Sequence, residues 1–338
     1  MRYPHLAWTG MTIGVTAPSS GVPEQLHPLM HEAAERLKAR QLDVKFGETT
    51  WTEADVQSAD GAVRAMELNQ MFKDESIDAI IPPWGGERAI DVLDLIDYDS
   101  IEPKWLLGYS DTSTIQLAIT LKTGIATAHG TNLADLRSEE WDPTTEAWRR
   151  VLATRSGGTV TQWPSEQYQS KWNHQERPER FLFHLDRPTE WKTLRQDVTE
   201  LEGRLLGGCL ETVRHLIGTP YGDVAAFRAN HTGGEPILWY FEACEANAAD
   251  IYRTIIHMHY AGWFDEASGI LFGRTPAGKA VKDFDLLSAY AAIEQKTGLS
   301  IFYDLDIGHQ PPQSTLVNGA FAKVVIAGEE SRIDMTFR

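Results

Sequence analysis

Short apolar runs alternate with helical stretches along the first 135 residues of the chain. The runs predict buried strands over residues 11–16, 42–46, 77–82, 105–109 and 125–128. Between the runs, apolar residues recur at helical spacing over residues 24–40, 61–74, 87–96 and 112–123. Strands that alternate with helices at this spacing indicate a parallel sheet with right-handed crossovers.

The pattern changes twice further along the chain. Residues 139–202 are polar and show little sustained period, although they contain five tryptophans: Trp141, Trp148, Trp163, Trp172 and Trp191. From residue 203 onward, strand-like runs return at 237–242, 268–274, 300–306 and 321–337, with a helix over 248–260. We therefore predict an N-terminal domain over 1–138, a connecting and lid segment over 139–202, and a C-terminal α/β or mostly β domain over 203–338.

Composition narrows the class of protein. The chain has 338 residues, of which 42% are hydrophobic and 23% charged, which is typical of a globular protein of two domains. Its formal charge of −17 makes a nucleic-acid partner improbable, because such binding relies on clustered Lys and Arg. Two cysteines cannot build a disulfide framework, and no apolar stretch resembles a secretory signal or a membrane span. We expect a cytoplasmic protein without membrane contact.

The strongest local feature is the pentapeptide GYSDT around Ser110, between a predicted strand and a predicted helix. A serine at a sharp strand-to-helix turn projects its hydroxyl away from the sheet, and the following N–H groups can face a developing oxyanion. The match to G-x-S-x-G is partial, because Thr112 replaces the last glycine. Ser110 is therefore either a nucleophile or a helix cap.

A nucleophilic serine needs a base, and the base needs a group that orients it. His309 follows a predicted strand on a loop bounded by glycine and proline, so it is a candidate base, with an ordinary surface histidine as the alternative. Glu242 ends the strand over 237–242 and is the first candidate to orient the imidazole. Glu245, three residues on, is the rival.

Other motifs are weaker. Gly85 and Gly86 follow a predicted strand and can bring backbone N–H groups close to a substrate. They match neither a dinucleotide-binding nor a phosphate-binding glycine motif, so we expect no nucleotide cofactor. We also expect no metal site, because His257 and His259 are two residues apart on a predicted helix and do not face each other. Cys209 is either a thiol nucleophile or a small buried side chain.

Several blocks together carry a family resemblance. They are TIGVTAPSS (12–20), IIPPWGGERAIDVLDLIDYDSI, LLGYSDTS around Ser110, GRLLGGCLETV (203–213), ILWYFEACE around Glu242, GILFGR (269–274) and DIGHQPP around His309. In their order and spacing the chain resembles the S66 serine peptidases, the family of LD-carboxypeptidase A and the microcin C immunity proteins. The resemblance covers nearly the whole chain.

The resemblance implies a Ser110–His309–Glu242 triad and an oxyanion hole from the backbone N–H groups of Gly86 and Asp111. It also implies an N-terminal flavodoxin-like domain, a β-rich C-terminal domain with the active site between the two, a homodimer, and no metal or other cofactor. The family often has asparagine where this chain has Cys209, and aspartate where it has Ala243, which leaves substrate contacts open.

The implied activity is hydrolysis of an amide bond near the carboxyl end of a small peptide-like substrate. That substrate is either a murein tetrapeptide or a peptidyl- or aminoacyl-nucleotide of the microcin C type. Gly85 and Trp172 are the candidate substrate contacts, Trp172 by stacking on a base. The alternative from another class is a non-catalytic module that binds a peptide or sugar in the same cleft.

Overall fold

The structure is a computed structural model that describes residues 1–6, 10–171 and 180–338. Its strands, in chain order, are β1 (Thr12–Val15), β2 (Asp43–Phe46), β3 (Ala79–Ile80), β4 (Trp105–Gly108), β5 (Thr127–His129), β6 (Thr159–Gln162), β7 (Gln167–Tyr168), β8 (Arg187–Pro188), β9 (Lys192–Thr193), β10 (Glu200–Cys209), β11 (Ile237–Glu242), β12 (Ala267–Gly273), β13 (Ile301–Leu305), β14 (Leu316–Asn318), β15 (Phe321–Val325) and β16 (Arg332–Thr336). Its α-helices are α1 (His27–Lys38), α2 (Gly61–Lys73), α3 (Thr112–Thr123), α4 (Pro143–Leu152), α5 (Leu210–Val213), α6 (Val224–His231), α7 (Ala248–Tyr260) and α8 (Leu286–Thr297).

The first sheet has the strand order β2-β1-β3-β4-β5, and all of these neighbours are parallel. This is the flavodoxin-like order, in which ligands bind beyond the carboxyl ends of the strands. Every residue of β4 is buried, as the unbroken apolar run predicts for a strand covered on both faces. The helix that follows β4 is α3, and the turn between them contains Ser110.

The second sheet has eight strands in the order β6-β16-β15-β10-β11-β12-β13-β9. Its centre, from β10 to β13, is parallel, and the strands on either side are antiparallel. In β11 all six residues are buried, so the polar residue that ends it, Glu242, enters the interior. The predicted fold class, a parallel-sheet region followed by a β-rich region, is confirmed.

The two sheets are connected by more than one segment. Strand β14 comes from the C-terminal part of the chain, yet it pairs antiparallel with β5 at the edge of the first sheet. Helix α3 of the first sheet contacts β10 of the second, where the Ser113 hydroxyl accepts a hydrogen bond from the Cys209 N–H at 3.1 Å. The predicted domain limits stay a prediction, but residues 316–318 lie in the first sheet.

The polar segment 139–202 contains more regular structure than its sequence indicates. It forms α4, and it supplies both edge strands of the second sheet, β6 and β9. Three of its tryptophans, Trp141, Trp148 and Trp191, are buried in the main core, whereas Trp163 is exposed. Strand β6 has four residues and β9 has two, so neither is long enough to show a sustained apolar period.

A smaller difference concerns the residues before the serine turn. The predicted helix over 87–96 is present only as a short 3₁₀ helix, Ala89–Val92. At its start the Arg88 and Ala89 N–H groups donate to the side chains of Ser19 and Asp111, which connects this segment to the serine turn. Among the helices in the described ranges, none has both the length and the apolar character that crossing a membrane requires.

Candidate active site

Ser110 lies at the sharp turn between β4 and α3. Its φ of +65° is uncommon for a residue with a side chain, and such backbone strain is concentrated at functional sites. Gly85 lies directly against it, because a Cβ on Gly85 would be 2.5 Å from the Ser110 Cβ and 3.1 Å from the Asp111 nitrogen. Only glycine allows this approach, so the turn and the Gly85 loop form one surface.

Each predicted oxyanion donor follows one member of this contact in the chain, Gly86 after Gly85 and Asp111 after Ser110. The Gly85 carbonyl accepts a hydrogen bond from the Ser20 N–H at 3.4 Å, so the Gly86 N–H of the same trans peptide is directed away from Ser20. Asp111 follows the serine, and its buried carboxylate accepts hydrogen bonds from the Ser19 hydroxyl at 2.6 Å and the Ala89 N–H at 2.7 Å. These bonds fix the peptide whose N–H is the second predicted donor.

His309 lies on the loop that follows β13, next to the end of β11. Gly308 has a φ of +88°, and a Cβ there would lie 2.3 Å from the Glu242 Cγ. Glycine thus allows the loop to pass closely over the glutamate. The Tyr109 ring contacts the imidazole edge-to-face, with the centroids 4.9 Å apart.

Asp306 holds the base of this loop. Its buried carboxylate forms an ion pair with Arg274 at 2.6 Å and accepts hydrogen bonds from the Ser165 hydroxyl at 2.6 Å and the Trp191 indole at 2.8 Å. A buried carboxylate with this many partners is compensated for its lost hydration. Segment 139–202 therefore helps to position the His309 loop.

The structure brings the three predicted triad residues into one hydrogen-bonded chain. His309 Nε2 is 3.1 Å from the Ser110 Oγ, and His309 Nδ1 is 2.7 Å from the Glu242 Oε2. The Glu242 side chain is fully buried and that of His309 is 18% exposed. Ser110 comes from the first sheet and the other two from the second, so this chain of side chains lies between the two sheets.

The ionisation of the pair follows from its burial and its contact. Burial alone would lower the pKa of His309, but the facing Glu242 carboxylate raises that pKa well above its ordinary value. Burial alone would raise the pKa of Glu242, yet His309 holds it below its ordinary value. The contact therefore stabilises an imidazolium next to a carboxylate, the charge state that forms when a serine transfers its proton to histidine.

The other sequence candidates fall in different places. Glu245 is exposed, and it is Glu242 that His309 contacts. Trp172 lies outside the described residues. His257 and His259 are on α7, and His257 is exposed.

Sequence reasoning missed a cluster of thiols beside the triad. Ligand atoms of Cys209, Cys244 and His309 all lie within 4.8 Å of one another. A hydrogen bond with Cys209 lowers the pKa of the Cys244 thiol to about 7. The available signals were the cysteine that ends β10 and a second cysteine two residues after Glu242.

Two family models match this chain in order. The LD-carboxypeptidase N-terminal domain matches residues 13–130, and the LD-carboxypeptidase C-terminal domain matches residues 202–324. The chain belongs to the S66 peptidase family. In this S66 peptidase, Ser110 lies within the first match, and Glu242 and His309 lie within the second.

Individual relatives agree with this assignment. The Escherichia coli microcin C7 self-immunity protein MccF is 24% identical over 347 residues, covering 97% of this chain and 93% of the relative. A Bacillus subtilis protein named "probable murein peptide carboxypeptidase" is 26% identical over 333 residues, covering 96% and 92%. A solved structure of MccF in complex with aspartyl sulfamoyl adenosine superposes with a TM-score of 0.85 at 20% identity, over 100% of this chain and 99% of that one, and shows the shared fold.

Proposed function

We propose that this S66 peptidase is a serine-type carboxypeptidase that hydrolyses an amide bond near the carboxyl end of a small peptide-like substrate. The observation that carries the proposal is the hydrogen-bonded chain Ser110–His309–Glu242, with contacts of 3.1 and 2.7 Å. Its order is that of a nucleophile, a base and an orienting carboxylate.

In the proposed reaction the Ser110 Oγ bonds to the substrate carbonyl carbon while its proton passes to His309 Nε2. The carbonyl oxygen becomes an oxyanion that accepts hydrogen bonds from the Gly86 and Asp111 N–H groups. The C–N bond then breaks as the imidazolium protonates the leaving nitrogen, and an acyl-enzyme remains. Water, deprotonated by the same imidazole, releases the acid and regenerates the serine. Glu242 stabilises the imidazolium in both halves.

The proposed substrate classes come from what two similar proteins are named for or bind. One relative is named a probable murein peptide carboxypeptidase, and a solved structure of MccF is a complex with aspartyl sulfamoyl adenosine. The test is to incubate the protein with a murein tetrapeptide and, separately, with aspartyl sulfamoyl adenosine, and to measure both products by mass. Release of the C-terminal residue of the tetrapeptide identifies a murein peptide as substrate, and release of free aspartate identifies the aminoacyl nucleoside. Turnover of neither, by folded protein, contradicts the proposal.

A binding module in the same cleft is the competing function. An active-site serine reagent such as a fluorophosphonate distinguishes the two, because it labels only an activated hydroxyl. We expect one label per chain, located at Ser110 by peptide mass, and none in Ser110→Ala. Absence of labelling in the wild-type protein would favour the binding module.

Three further sequence-based expectations belong to this proposal. Stacking of Trp172 on a base predicts that Trp172→Ala weakens hydrolysis of the nucleoside substrate about tenfold and leaves the tetrapeptide reaction almost unchanged. A homodimer is tested by light scattering of the purified protein. A cytoplasmic location is tested by fractionation of the cells that make it.

A further inference from the structure

Two thiols and an imidazole meet beside the proposed triad. Cys209 ends β10 and pairs in register with Glu242 on the neighbouring strand β11, and Cys244 lies two residues beyond Glu242. Together with His309 they place two sulfur atoms and a ring nitrogen within 4.8 Å of one another. These residues are more than 30 positions apart in the chain, and β-strand register brings them together.

One carboxylate positions both thiols. Glu211 Oε2 accepts a hydrogen bond from the Cys209 Sγ at 3.4 Å, while Oε1 accepts one from the Cys244 N–H at 2.9 Å. The same Oε1 also accepts from the N–H groups of Glu245 and Ala246 at 3.0 and 2.9 Å. The backbone that bears Cys244 is thus fixed relative to Cys209, so the two sulfur atoms are held near each other before any ligand arrives.

The donor set suits a soft divalent cation. Two cysteines and one histidine are a known zinc donor set in proteins, with a fourth position open to water. Tetrahedral zinc requires about 3.8 Å between its sulfurs and about 3.5 Å from sulfur to nitrogen, from Zn–S and Zn–N bonds of about 2.3 and 2.0–2.1 Å. From the observed limit of 4.8 Å, the sulfur–sulfur distance has to shorten by at most about 1.0 Å and each sulfur–nitrogen distance by at most about 1.3 Å. The carboxylates of Glu242 and Glu211 add negative potential that favours a cation.

We propose that Cys209, Cys244 and His309 form an inhibitory zinc site. The two thiols lose their protons to solvent, both thiolates and one imidazole nitrogen bind Zn²⁺, and the fourth position faces the cleft. Both His309 nitrogens already have partners, Nδ1 with Glu242 and Nε2 with Ser110. Zinc bound at either nitrogen displaces one of these partners, so the metal and the hydrogen-bonded triad exclude each other.

Two of the three proposed ligands are partly accessible to solvent. Cys209 is buried, but Cys244 is half-buried and the His309 side chain is 18% exposed. A cation can therefore reach Cys244 and His309 first and complete its coordination at Cys209. The zinc-free protein remains the active form.

The first experiment measures metal binding without any substrate, so it does not depend on the proposed function. The full chain is reduced, stripped of metal with a chelator, and titrated calorimetrically with ZnCl₂. We expect one Zn²⁺ per chain, with affinity reduced about 100-fold or more in Cys209→Ser, Cys244→Ser and His309→Gln. The matched control is His257→Gln, which removes an exposed histidine on α7 and leaves the affinity unchanged.

A second readout counts the metal–sulfur bonds. Titration with Cd²⁺ produces thiolate-to-metal absorbance in proportion to the number of thiolates bound, so each single serine variant should show about half of the wild-type signal. Circular dichroism checks that each variant is folded. Failure of the reduced wild-type protein to bind Zn²⁺, or binding that survives both cysteine substitutions together, overturns the proposal.

Inhibition is then tested on whichever substrate is turned over. Zn²⁺ in tenfold excess over its measured Kd should remove about 90% of activity, and EDTA should restore it. Each cysteine variant is compared with its own zinc-free rate, and the concentration for half-inhibition should rise with its Kd. Zinc that binds at this site without slowing turnover contradicts the inhibitory role. If zinc binds but neither substrate is turned over, the proposed function is contradicted and the proposal of a zinc-binding site still holds.

Discussion

Replacing Glu242 with glutamine removes one negative charge from the centre of the proposed mechanism. The amide keeps the shape of the carboxylate, and its oxygen still accepts the His309 Nδ1–H. What is lost is the attraction between a carboxylate and the imidazolium that forms in the transition state. The substitution therefore removes the charge, and the amide NH₂ group also favours the imidazole tautomer that lacks the Nδ1 proton.

The size of the effect follows from the geometry. Charges at the observed 2.7 Å attract by about 6 kcal/mol at an effective dielectric constant of 20. The hydrogen bond that the imidazolium Nδ1–H donates to the amide oxygen retains about 1.5 kcal/mol of this. The remaining loss of about 5 kcal/mol corresponds to a rate lower by a factor between about 10³ and 10⁴. Replacing the equivalent aspartate of a serine protease with asparagine lowers kcat by about 10⁴-fold, an effect attributed to the wrong imidazole tautomer.

The assay compares kcat/KM of wild-type and Glu242→Gln protein by mass-resolved product formation, with EDTA present. Glu245→Gln is the matched control, because Glu245 is exposed and its rate should change by less than about twofold. The reasoning is refuted if Glu242→Gln keeps its rate within tenfold of wild type, or if the control loses as much.

Four other outcomes are expected. Ser110→Ala should lose about 10⁴- to 10⁶-fold of activity while its melting temperature stays near wild type, and retained activity in folded protein would exclude the serine mechanism. The rate should rise with pH as His309 loses its proton, because only neutral imidazole can act as a base. The facing carboxylate raises the pKa of His309 above the ordinary 6.5, so a midpoint of the pH–rate profile below 6.5 would contradict the pairing. Gly85→Ala should lower kcat by about tenfold or more, because the alanine Cβ would lie 2.5 Å from the Ser110 Cβ and displace the serine. An unchanged kcat would show that the turn can shift without disturbing Ser110. Arg274→Met should reduce the free energy of unfolding, measured by denaturant titration, by about 3–5 kcal/mol, because it leaves the buried Asp306 carboxylate without its cation. A change below about 1 kcal/mol would show that the ion pair is dispensable.

Local patterns accounted for the five parallel strands of the first sheet and for the turn that contains Ser110. The run 105–109 is followed by a serine and a helical pattern, which is sufficient to predict a strand, a sharp turn and a helix. The same holds for β11, whose apolar run ends at Glu242. These predictions depend on neighbouring residues only, and the fold class they imply is confirmed.

Segment 139–202 could not be predicted in the same way. Strand β6 pairs with β16, whose residues lie more than 170 positions later in the chain, and β9 pairs with β13. A short edge strand is stabilised by its partner more than by its own period. Three of its five tryptophans, Trp141, Trp148 and Trp191, are buried in the main core, which forms from residues spread along the whole chain.

By itself, the sequence determined most of the elements outside segment 139–202, the family and the residue types from which a site could be built. Only the tertiary structure decided which of them meet. Residues 110, 242 and 309 come together because α3 packs against β10 and because a loop passes over the end of β11. Cys209 and Cys244 meet His309 through strand register and through Glu211, to which sequence reasoning assigned no role. Proximity across a chain depends on how sheets pack, and packing is a property of all their side chains together.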